Sequence, residues 1–312
     1  MHIVVTGGAG FIGANLCRRL ITEPGVTRLT VVDDLSSGSR DNLAGLGTHL
    51  VEASILDQAV MDAVLGRADA VVHLAARPSV LRSLDDPRQT HEVNATGTLA
   101  VLEAVRRHPG AYLVVASSSS VYGRAARLPV NEDTAPAPAS PYAASKVAAE
   151  GYVRAHASAF GIDSLVFRFF NVYGPLQSSG HVYAAVVPTF IDRALRGLPL
   201  EVHGDGAQTR DFTYVDTVTA VIADALRRRV TAAAPVNLAA GAPTSVLELA
   251  HQVDQVLGTR SPVRHQPPRG GDIHDSHADP SRLDALFPGV AWTSLAAGLR
   301  ATADWRMGQF AA

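Results

Sequence analysis

The feature that most constrains this chain is a glycine-rich loop close to its first residue. A short apolar run, His2–Val5, precedes the loop, and a stretch with helical character, Ala14–Ile21, follows it. Between them, Gly7, Gly10 and Gly13 are spaced G-x-x-G-x-x-G. A glycine-rich turn between a strand and a helix lets the backbone approach a pyrophosphate, whose charge the helix N-terminus stabilises. The pattern therefore predicts a dinucleotide site, although a turn that only packs would also explain three glycines taken alone.

An acidic residue follows the glycines at the distance typical of such a site. The second predicted strand, Leu29–Val32, is followed by Asp33, about 20 residues beyond the loop. A carboxylate in this place accepts hydrogen bonds from the hydroxyl groups of the adenosine ribose and repels a 2′-phosphate. The loop and Asp33 together predict NAD, rather than NADP, as the cofactor.

Strand and helix patterns then alternate through the first half of the chain. Further predicted strands are apolar runs at 50–52, 70–76 and 112–116, with helices near 57–65 and 90–107. Continuous apolar strands separated by helices indicate a parallel sheet covered on both faces. We therefore expect an α/β protein with a Rossmann-type doubly wound parallel sheet. His73 lies in one of these strands near the edge where ligands bind, but the more frequent role of a single histidine there is packing.

Composition narrows the class of protein. The chain has 312 residues, of which 47% are apolar, and a formal net charge of -2. Such a charge gives no general attraction for nucleic acids or anionic membranes, and no apolar run approaches the ~18 residues of a membrane span. A single cysteine, Cys17, excludes an internal disulfide, and the histidines lack the spacing of metal ligands. We expect a cytoplasmic protein without a metal, nucleic-acid or membrane partner.

A tyrosine and a lysine share one face of a predicted helix in the middle of the chain. Ser140 suits its N-cap and Pro141 its first turn, and Tyr142 and Lys146 follow at i and i+4. An ammonium near the phenol, together with a positive nicotinamide ring, is expected to lower the phenol pKa from its usual value near ~10. A serine run, 117–120, follows the preceding strand and offers a hydroxyl for a substrate oxygen. The pattern predicts a catalytic tyrosine beside a bound dinucleotide.

Together these motifs resemble the extended short-chain dehydrogenase/reductase family and, within it, the nucleotide-sugar 4-epimerases related to UDP-glucose 4-epimerase. The resemblance covers nearly the whole chain and implies that Ser118, Tyr142 and Lys146 act together, with Ser119 in the substrate pocket. The chain departs from the family at Ser54-Ile55, where Asp-Ile or Asp-Leu often binds adenine. The cofactor-binding residues that the resemblance implies are Gly7, Gly10, Phe11, Ile12, Gly13, Asp33, Ser54, Ile55, Leu74, Ala75, Ala76, Tyr142 and Lys146.

The second half of the chain resembles the substrate-binding part of the same family. Asn171 lies in the segment that leads into it, and Arg210 lies in a segment, 200–212, that is similar to the family's nucleotide-binding hairpin. Arg269 and Asp272 belong to a second matching motif. The resemblance implies that Asn171 and the arginines contact the diphosphate of a nucleotide sugar, with Asp272 as a ribose or arginine partner. Arginine suits a diphosphate because it forms paired hydrogen bonds, whereas a surface ion pair is the general alternative for either arginine.

The two parts are expected to be interleaved rather than joined by a linker. We expect a NAD-binding domain over residues 1–172, to which segments near 212–242 and part of the C-terminus return. Residues 173–312 are expected to form mainly the nucleotide-sugar-binding domain. The resemblance also implies a homodimer, with the helix near 90–107 and the helix of Tyr142 at the interface.

The expected reaction is NAD-dependent 4-epimerisation of a UDP-hexose through a transient 4-keto sugar. The family's 4,6-dehydratases carry an Asp-Glu pair where this chain has Ser119-Ser120, and its decarboxylases carry a Glu where this chain has Ser120. Because serine offers no carboxyl group, both of these reactions are disfavoured. Uronate 4-epimerases share the serine run but tend to carry an arginine in the loop that spans 176–181 here. This loop contains no arginine or lysine, so a neutral hexose is favoured. In the galactose epimerases of this family, a bulky residue at the position of Ser276 excludes N-acetylated sugars. The resemblance therefore implies that a chain with serine there accepts UDP-GlcNAc and UDP-GalNAc. The alternatives are a uronate epimerase, a reductase that releases its cofactor and a catalytically silent NAD-binding sensor.

Overall fold

The strands come from both halves of the chain. The computed structural model describes residues 1–125, 127–180, 184–268 and 273–311. The strands within these residues are β1 (His2–Thr6), β2 (Arg28–Asp33), β3 (His49–Glu52), β4 (Ala70–His73), β5 (Tyr112–Ser118), β6 (Ser164–Phe169), β7 (Val172–Tyr173), β8 (Leu200–His203), β9 (Thr209–Asp211), β10 (Thr213–Tyr214), β11 (Val236–Leu238), β12 (Pro243–Ser245) and β13 (Val263–Gln266).

Helices separate most of these strands. They are α1 (Phe11–Leu20), α2 (Gln58–Leu65), α3 (Val80–Asp85), α4 (Pro87–His91), α5 (Gly97–Arg107), α6 (Pro141–Phe160), α7 (Val186–Leu195), α8 (Val215–Arg228), α9 (Val246–Leu257), α10 (Ser281–Leu286) and α11 (Leu295–Ala311). Side-chain caps fix several starts: Asp57 accepts a hydrogen bond from the N–H of Val60, and Ser245 accepts one from Glu248. Of the helices in the described ranges, none combines the length and the apolar character that a membrane crossing needs.

Seven strands form the main sheet, in the order β11-β6-β5-β4-β1-β2-β3, and every neighbouring pair is parallel. The predicted Rossmann-type doubly wound sheet is therefore confirmed. The strand order reverses at β1, because β2 and β3 lie on one side of it and the later strands on the other. Folds of this kind bind their ligands outside the carboxyl ends of the strands at such a point. Thr6, Asp33, His73 and Ser118 all end their strands at that edge.

Helices cover both faces of the main sheet. Ile3 and Val5 of β1 are buried in one apolar cluster with residues of α1 and α8. Val4, between them, is buried in a second cluster with residues of α2 and α5. Neighbouring residues of a strand point to opposite faces, so a strand covered on both sides needs the continuous apolar run seen in the sequence. Cys17 is buried in the first cluster.

A smaller part of the structure is built around α7, α9 and α11, whose apolar residues form a third cluster. Here β8 pairs in parallel with β13, and β9 pairs antiparallel with β12. The expectation of a hairpin over 200–212 is therefore wrong, because β8 and β9 pair with later strands and not with each other. β11 and α8, although they follow β8 and β9 along the chain, belong to the main sheet and its cover.

Candidate active site

The glycine-rich loop is tightly enclosed by backbone. Gly7 has a φ of +72°, and its N–H donates to the carbonyl of Val32 at 2.8 Å. A Cβ atom at Gly13 would lie 2.2 Å from the carbonyl oxygen of Gly7, and one at Gly7 would lie 2.6 Å from the nitrogen of Ala75. Because backbone atoms cannot turn aside as a flexible side chain can, both positions require glycine. The loop is thus held in one shape between β1, β2 and the segment after β4.

Helix α1 begins at this loop without a side-chain cap. Gly10 is its N-cap residue, in an extended conformation, and the Gly10 carbonyl accepts from the N–H of Ala14 at 2.9 Å. Within the described residues, the N-cap position makes no side-chain capping hydrogen bond, and the first turn of the helix carries no acidic residue. The N–H groups of this turn, which contains Phe11 and Ile12, and the positive end of the helix dipole are therefore suited to a phosphate anion.

Asp33 ends β2 beside the loop and is fixed by main-chain N–H groups. Its Oδ2 accepts from Ala9 and its Oδ1 from Leu35, both at 2.9 Å, and the residue is 8% exposed. Burial raises the pKa of the Asp33 carboxyl, and the hydrogen bonds from the backbone oppose that rise. An ionised carboxylate has about four lone-pair positions, so Asp33 keeps the capacity to accept from ribose hydroxyl groups.

The segment after β4 is tied to β1. The N–H of Leu74 donates to the Thr6 carbonyl at 3.0 Å, and the N–H of Ala75 donates to the Thr6 hydroxyl at 3.3 Å. That hydroxyl lies 2.7 Å from Nδ1 of His73, whose Nε2 lies 3.0 Å from the hydroxyl of Thr98. Burial lowers the pKa of His73 to about 3. His73 is thus a neutral, hydrogen-bonded residue of the interior.

The residues predicted near adenine take different roles in the loop after β3. The Ser54 hydroxyl accepts from the N–H of Leu56 at 3.2 Å. Ile55 is buried against the start of α5, where a Cβ atom at Gly97 would come within 2.5 Å of the Ile55 side chain. A hydroxyl that accepts one hydrogen bond still has a hydrogen to donate. Contact between Ser54 and adenine therefore stays a prediction.

Tyr142 lies half-buried in the first turn of α6. As predicted, Ser140 caps this helix by accepting from the N–H of Ala143 at 3.1 Å, and Pro141 occupies the first turn. Burial raises the pKa of the Tyr142 phenol, and a hydrogen bond with the side chain of Ser118 lowers it less. Within the protein alone, burial disfavours the charged phenolate more strongly than the Ser118 hydrogen bond favours it. The expected lowering of the phenol pKa also involves the nicotinamide ring, so it stays a prediction.

Lys146 is the only lysine of the chain. It is 5% exposed, and its Nζ donates to the carbonyl of Ala116 at 2.9 Å. Burial lowers the pKa of this ammonium to about 8, and the Glu150 carboxylate opposes the shift. An ammonium has three N–H donors, so the bond to Ala116 leaves donors for further oxygen atoms, such as those of a ribose.

The structure gives different hydrogen-bond partners to Ser117 and to Ser118, the serine that the resemblance places with Tyr142. The Ser117 hydroxyl donates to Oε1 of Glu150 at 2.5 Å, whereas Ser118 shares a hydrogen bond with Tyr142. The Ser118 hydroxyl also accepts from the N–H and the hydroxyl of Ser120, at 3.2 and 2.9 Å, at the start of a short 3₁₀ turn. Consecutive residues of a strand point to opposite faces, so only one of the first two serines can meet the tyrosine.

One polar side chain of the site was missed in the sequence. The predicted helix over 90–107 is interrupted by a π-turn, Glu92–Thr96. Within it, the Asn94 amide accepts from the N–H of Arg77 at 2.7 Å and donates to the hydroxyl of Ser145 at 3.0 Å. Ser145 in turn donates to the carbonyl of Tyr142 at 2.7 Å. π-turns are frequent at functional sites, but an asparagine inside a helical pattern gives no such signal.

A cavity of about 260 Å³ lies at the predicted diphosphate residues. Asn171 and Arg210 both line it, together with Phe190, Phe212 and His203. Asn171 has a φ of +32°, and its amide donates to a carbonyl of β9 at 3.2 Å. Aromatic and apolar walls with a few charged or polar groups are typical of pockets for small molecules and cofactors. The structure thus brings these two predicted residues together.

Arg210 is held from behind by backbone carbonyls. Its Nη1 donates to the carbonyl of Thr209 at 2.8 Å and to that of His274 at 2.9 Å. The N–H of Ser276 donates to the Thr209 carbonyl at 3.2 Å, so Ser276 lies beside the strand that carries Arg210. Among the described residues, those that line the cavity do not include Ser276. The predicted substrate residues that lie outside the described residues are Arg269 and Asp272.

Asp211, the next residue of β9, joins three segments of the chain. Its buried carboxylate accepts from the N–H groups of Ala240 and Gly241, both at 3.1 Å, and of Ala278 at 3.2 Å. Burial raises the pKa of the Asp211 carboxyl, and these backbone hydrogen bonds oppose the rise. The carboxylate thus fixes the strand of Arg210 against the turn after β11 and the segment after β13.

Comparison with known proteins gives the class of the chain. The sequence model of the NAD dependent epimerase/dehydratase family matches residues 3–239, and the chain belongs to this family. It is therefore a member of a group of NAD-dependent nucleotide-sugar epimerases and dehydratases, and its cofactor is NAD.

Relatives in this family differ in reaction. The UDP-glucose 4-epimerase of Mycolicibacterium smegmatis is 37% identical over 320 residues, which cover 98% of each chain. The dTDP-glucose 4,6-dehydratase of the same organism is 35% identical over 320 residues, covering 98% of this chain and 93% of the other. The crystal structure of the Thermus thermophilus UDP-glucose 4-epimerase in complex with NAD has a TM-score of 0.90 to this chain at 34% identity, and each covers 99% of the other.

The residues of this chain fit NAD. The uncapped start of α1 suits a pyrophosphate, the Asp33 carboxylate suits ribose hydroxyls, and the donors of Lys146 suit a second ribose. The assignment of these contacts to particular residues stays a prediction. In the part of the chain that the structure describes, no group of three or more His, Cys, Asp or Glu side chains could hold a metal ion.

Proposed function

We propose that this chain is an NAD-dependent 4-epimerase that interconverts UDP-glucose and UDP-galactose through a transient 4-keto sugar. The observation that carries the proposal lies at the end of β5. There Ser118 and Tyr142 share a hydrogen bond and Lys146 binds the same strand, whereas the next two positions hold hydroxyl groups, Ser119 and Ser120, in place of carboxyl groups. These residues suit reversible oxidation of an alcohol and supply no acid at 119 or 120 for the loss of water.

The proposed roles follow from the protonation chemistry of the three side chains. Tyr142 takes the proton of the sugar 4-hydroxyl and later returns it. Ser118 holds the 4-oxygen during both transfers. Lys146, which is positively charged below a pH of about 8, favours the phenolate and binds the ribose of the cofactor. NAD, when bound, supplies the acceptor for the hydride from C4, and its oxidised ring adds positive charge that favours the phenolate.

The substrate must remain bound while its sugar turns over. We propose that Arg210 and Asn171 bind the diphosphate, since arginine forms paired hydrogen bonds to phosphate oxygens. The aromatic side chains of the same cavity, Phe190 and Phe212, suit a nucleobase. A nucleotide anchored in this way leaves the hexose free to present either face of C4 to Tyr142.

A 4,6-dehydratase is the alternative that the relatives raise. Elimination of water from the sugar needs an acid and a base in addition to the tyrosine. The hydroxyl groups of Ser119 and Ser120 are poor substitutes for the Asp-Glu pair expected in such an enzyme. Epimerisation, which needs only one proton donor and acceptor, is therefore favoured.

A uronate is the alternative substrate. The loop 176–180 has no cationic side chain of its own, although Arg306 of α11 reaches it and donates to the hydroxyl of Ser179 at 3.0 Å. Arg306 is paired with Asp192 at 2.7 Å, so its guanidinium already has a carboxylate partner within the protein. A neutral hexose is favoured. The small Ser276 further leads us to propose that N-acetylated hexoses are accepted.

We further propose that the chain is divided as the sequence predicts and that it forms a homodimer. Residues 1–172 with 212–242 would bind NAD, which the positions of β11 and α8 in the main sheet and its cover support. Tyr152 and Phe160 on α6 are 41% and 53% exposed, and pairing of α5 and α6 between two copies would cover them. Sedimentation equilibrium should then give twice the chain mass of 32.8 kDa, and a mass of one chain at micromolar concentration would contradict the dimer.

Proton NMR of the purified protein with four separate substrates tests the function. UDP-galactose and UDP-GalNAc should be inverted at C4 without added NAD, and UDP-glucuronate should not react. Tyr142→Phe should slow the inversion by about 10²–10⁴-fold, whereas Tyr152→Phe, on an exposed part of the same helix, should not. A 4-keto-6-deoxy product from dTDP-glucose would identify a dehydratase instead. No reaction in any tube, even with NAD added, would contradict the proposed enzyme.

A further inference from the structure

Glu150 and Arg168 form a buried ion pair next to the catalytic side chains. Arg168 donates from Nε to Oε1 of Glu150 at 2.9 Å and from Nη2 to Oε2 at 2.7 Å. Glu150 is 9% exposed and Arg168 is 3% exposed. A buried pair of this kind is often no more stabilising than apolar residues of the same volume. Its position in the fold indicates a more specific role.

The pair joins the elements that carry the catalytic residues. Glu150 follows Lys146 by four residues and Tyr142 by eight on α6, so all three share one face of the helix. Arg168 of β6 lies opposite Ser117 of β5, and the Ser117 hydroxyl also donates to Oε1 of Glu150 at 2.5 Å. The carbonyl that binds the Lys146 ammonium belongs to the residue just before Ser117. Glu150 therefore fixes the strand end that holds the lysine.

Arg168 is confined on its other side as well. Its guanidinium carbon lies 4.7 Å from the centre of the Tyr122 ring. The Tyr122 hydroxyl donates to Oδ1 of Asn237 at 2.6 Å, which fixes the ring. Nη1 of Arg168 is buried without a hydrogen-bond partner among the described residues. The guanidinium is thus held between an aromatic ring and the Glu150 carboxylate, and the carboxylate balances its charge.

We propose that Glu150 and Arg168 are positioning residues whose balanced charges maintain Lys146 as an ammonium on the Ala116 carbonyl. The carboxylate favours the ammonium from one helical turn away, and the guanidinium limits the strength of that effect. The pair acts through Lys146 and not by contact with the substrate. Its catalytic consequence rests on the proposed function, because there the charge of Lys146 assists Tyr142.

The groups that face Lys146 from the surrounding elements set the direction of the effect. On α6, Glu150 raises the Lys146 pKa, and burial raises the pKa of the Tyr142 phenol, which favours its neutral form when no cofactor is bound. On β4, burial and the charge of Lys146 lower the pKa of His73 to about 3, so this side chain is neutral. β5 contributes a carbonyl and serine hydroxyl groups, and Arg168 of β6 lies against the Glu150 carboxylate. Substitution of Glu150 or Arg168 is therefore the way to change the charge near Lys146.

The single lysine makes a direct test possible. Carbon NMR of protein labelled at lysine Cε gives one signal, whose shift against pH reports the Lys146 pKa. The unmodified protein should titrate at about 8. Glu150→Gln should lower this pKa and Arg168→Met should raise it, by about one to two pH units each, because each leaves one unbalanced charge near the lysine. The double variant Glu150→Gln/Arg168→Met should return to within about half a unit of the original value.

The opposite signs distinguish charge balance from packing, since damage to packing would move both single variants in the same direction. Glu103→Gln is the matched control, because it removes an arginine-paired carboxylate from the surface of α5, and it should leave the Lys146 pKa unchanged. Shifts in one direction, or folded single variants with the original pKa, would overturn the proposal.

A less disruptive variant tests the proposal if the two single variants do not fold. Ser117→Ala keeps both charges and removes one hydrogen-bond donor from Glu150, so it should raise the Lys146 pKa by about 0.3 unit. An unchanged value in this variant would also overturn the proposal. Because the titration uses no substrate, its outcome is separate from that of the epimerase assay.

Discussion

Replacement of Gly13 by alanine is expected to abolish retention of NAD. The new methyl group would lie 2.2 Å from the carbonyl oxygen of Gly7 and 2.6 Å from Cα of Gly8, about 1 Å inside ordinary van der Waals contact. Both obstacles are backbone atoms, so the loop or the helix must shift. The shift misaligns N–H groups at the start of α1. Loss of two hydrogen bonds to a charged phosphate, at about 1.5–3 kcal/mol each, weakens NAD binding by about 10²–10⁴-fold.

The assay is the NAD content of the purified protein, released by denaturation and measured by chromatography, with calorimetry for the Kd of added NAD. Gly151→Ala is the matched control, because Gly151 also lies within a helix and a Cβ atom there meets nothing within 4 Å. This control should keep its NAD and gain about 0.5–1 kcal/mol of helix stability. A folded Gly13→Ala protein with the normal NAD content would refute the assignment of the loop as the phosphate site.

Two further substitutions test other parts of the site. Lys146→Met should stop catalysis and yet raise the free energy of unfolding at neutral pH by up to about 3 kcal/mol, because burial lowers the Lys146 pKa from 10.5 to about 8. The gain in stability should fade as the pH rises above about 8, where the buried lysine loses its charge. Denaturant titrations at neutral and at alkaline pH measure this gain, and equal gains at both pH values would contradict the lowered pKa of Lys146. Asp211→Asn should raise KM for UDP-galactose about tenfold with little change in kcat, because an amide nitrogen cannot accept from Gly241 and Ala278. Asp205→Asn, in an exposed turn before β9, is its control, and steady-state kinetics in which kcat falls while KM stays constant would contradict the assigned role.

The parts of the fold that the sequence predicted correctly have local signals. The glycine loop, the strand before Asp33 and the capped helix of Tyr142 each carry their own pattern of glycines, apolar runs or caps. The predicted strand Leu29–Val32 differs from β2 by one residue at each end. Such patterns decide local structure wherever the tertiary environment agrees with them.

The parts that were wrong depend on contacts distant in sequence. β8 and β9 have four and three residues, too few for a pattern that specifies a partner, and their partners follow them by tens of residues. The interruption of the helix at 92–96 depends on the bonds from Asn94 to Arg77 and Ser145. Neither the strand pairings of β8 and β9 nor the hydrogen bonds of Asn94 can be predicted from the residues next to them in the sequence.

The hydrogen-bond partners and pKa shifts of the site could not be predicted from local sequence patterns either. The alternation of a strand indicates that Ser117 and Ser118 point apart, but it does not tell which one meets the tyrosine. The family resemblance alone indicated Ser118. The sequence gives no measure of burial, which raises the pKa of Tyr142. Arg168 lies within the apolar run of β6. Its sequence context does not indicate that it bonds to Glu150, which belongs to another element of the fold.

The most direct test of the central claim is epimerisation of UDP-galactose in deuterium oxide without added NAD. If the hydrogen of C4 leaves as a hydride to retained NAD and returns to the same carbon, it never exchanges with solvent. Mass spectrometry and proton NMR of the UDP-glucose product should then find no deuterium at C4. Deuterium at C4, or a 4-keto product that has lost a hydroxyl group, would contradict the proposed reaction.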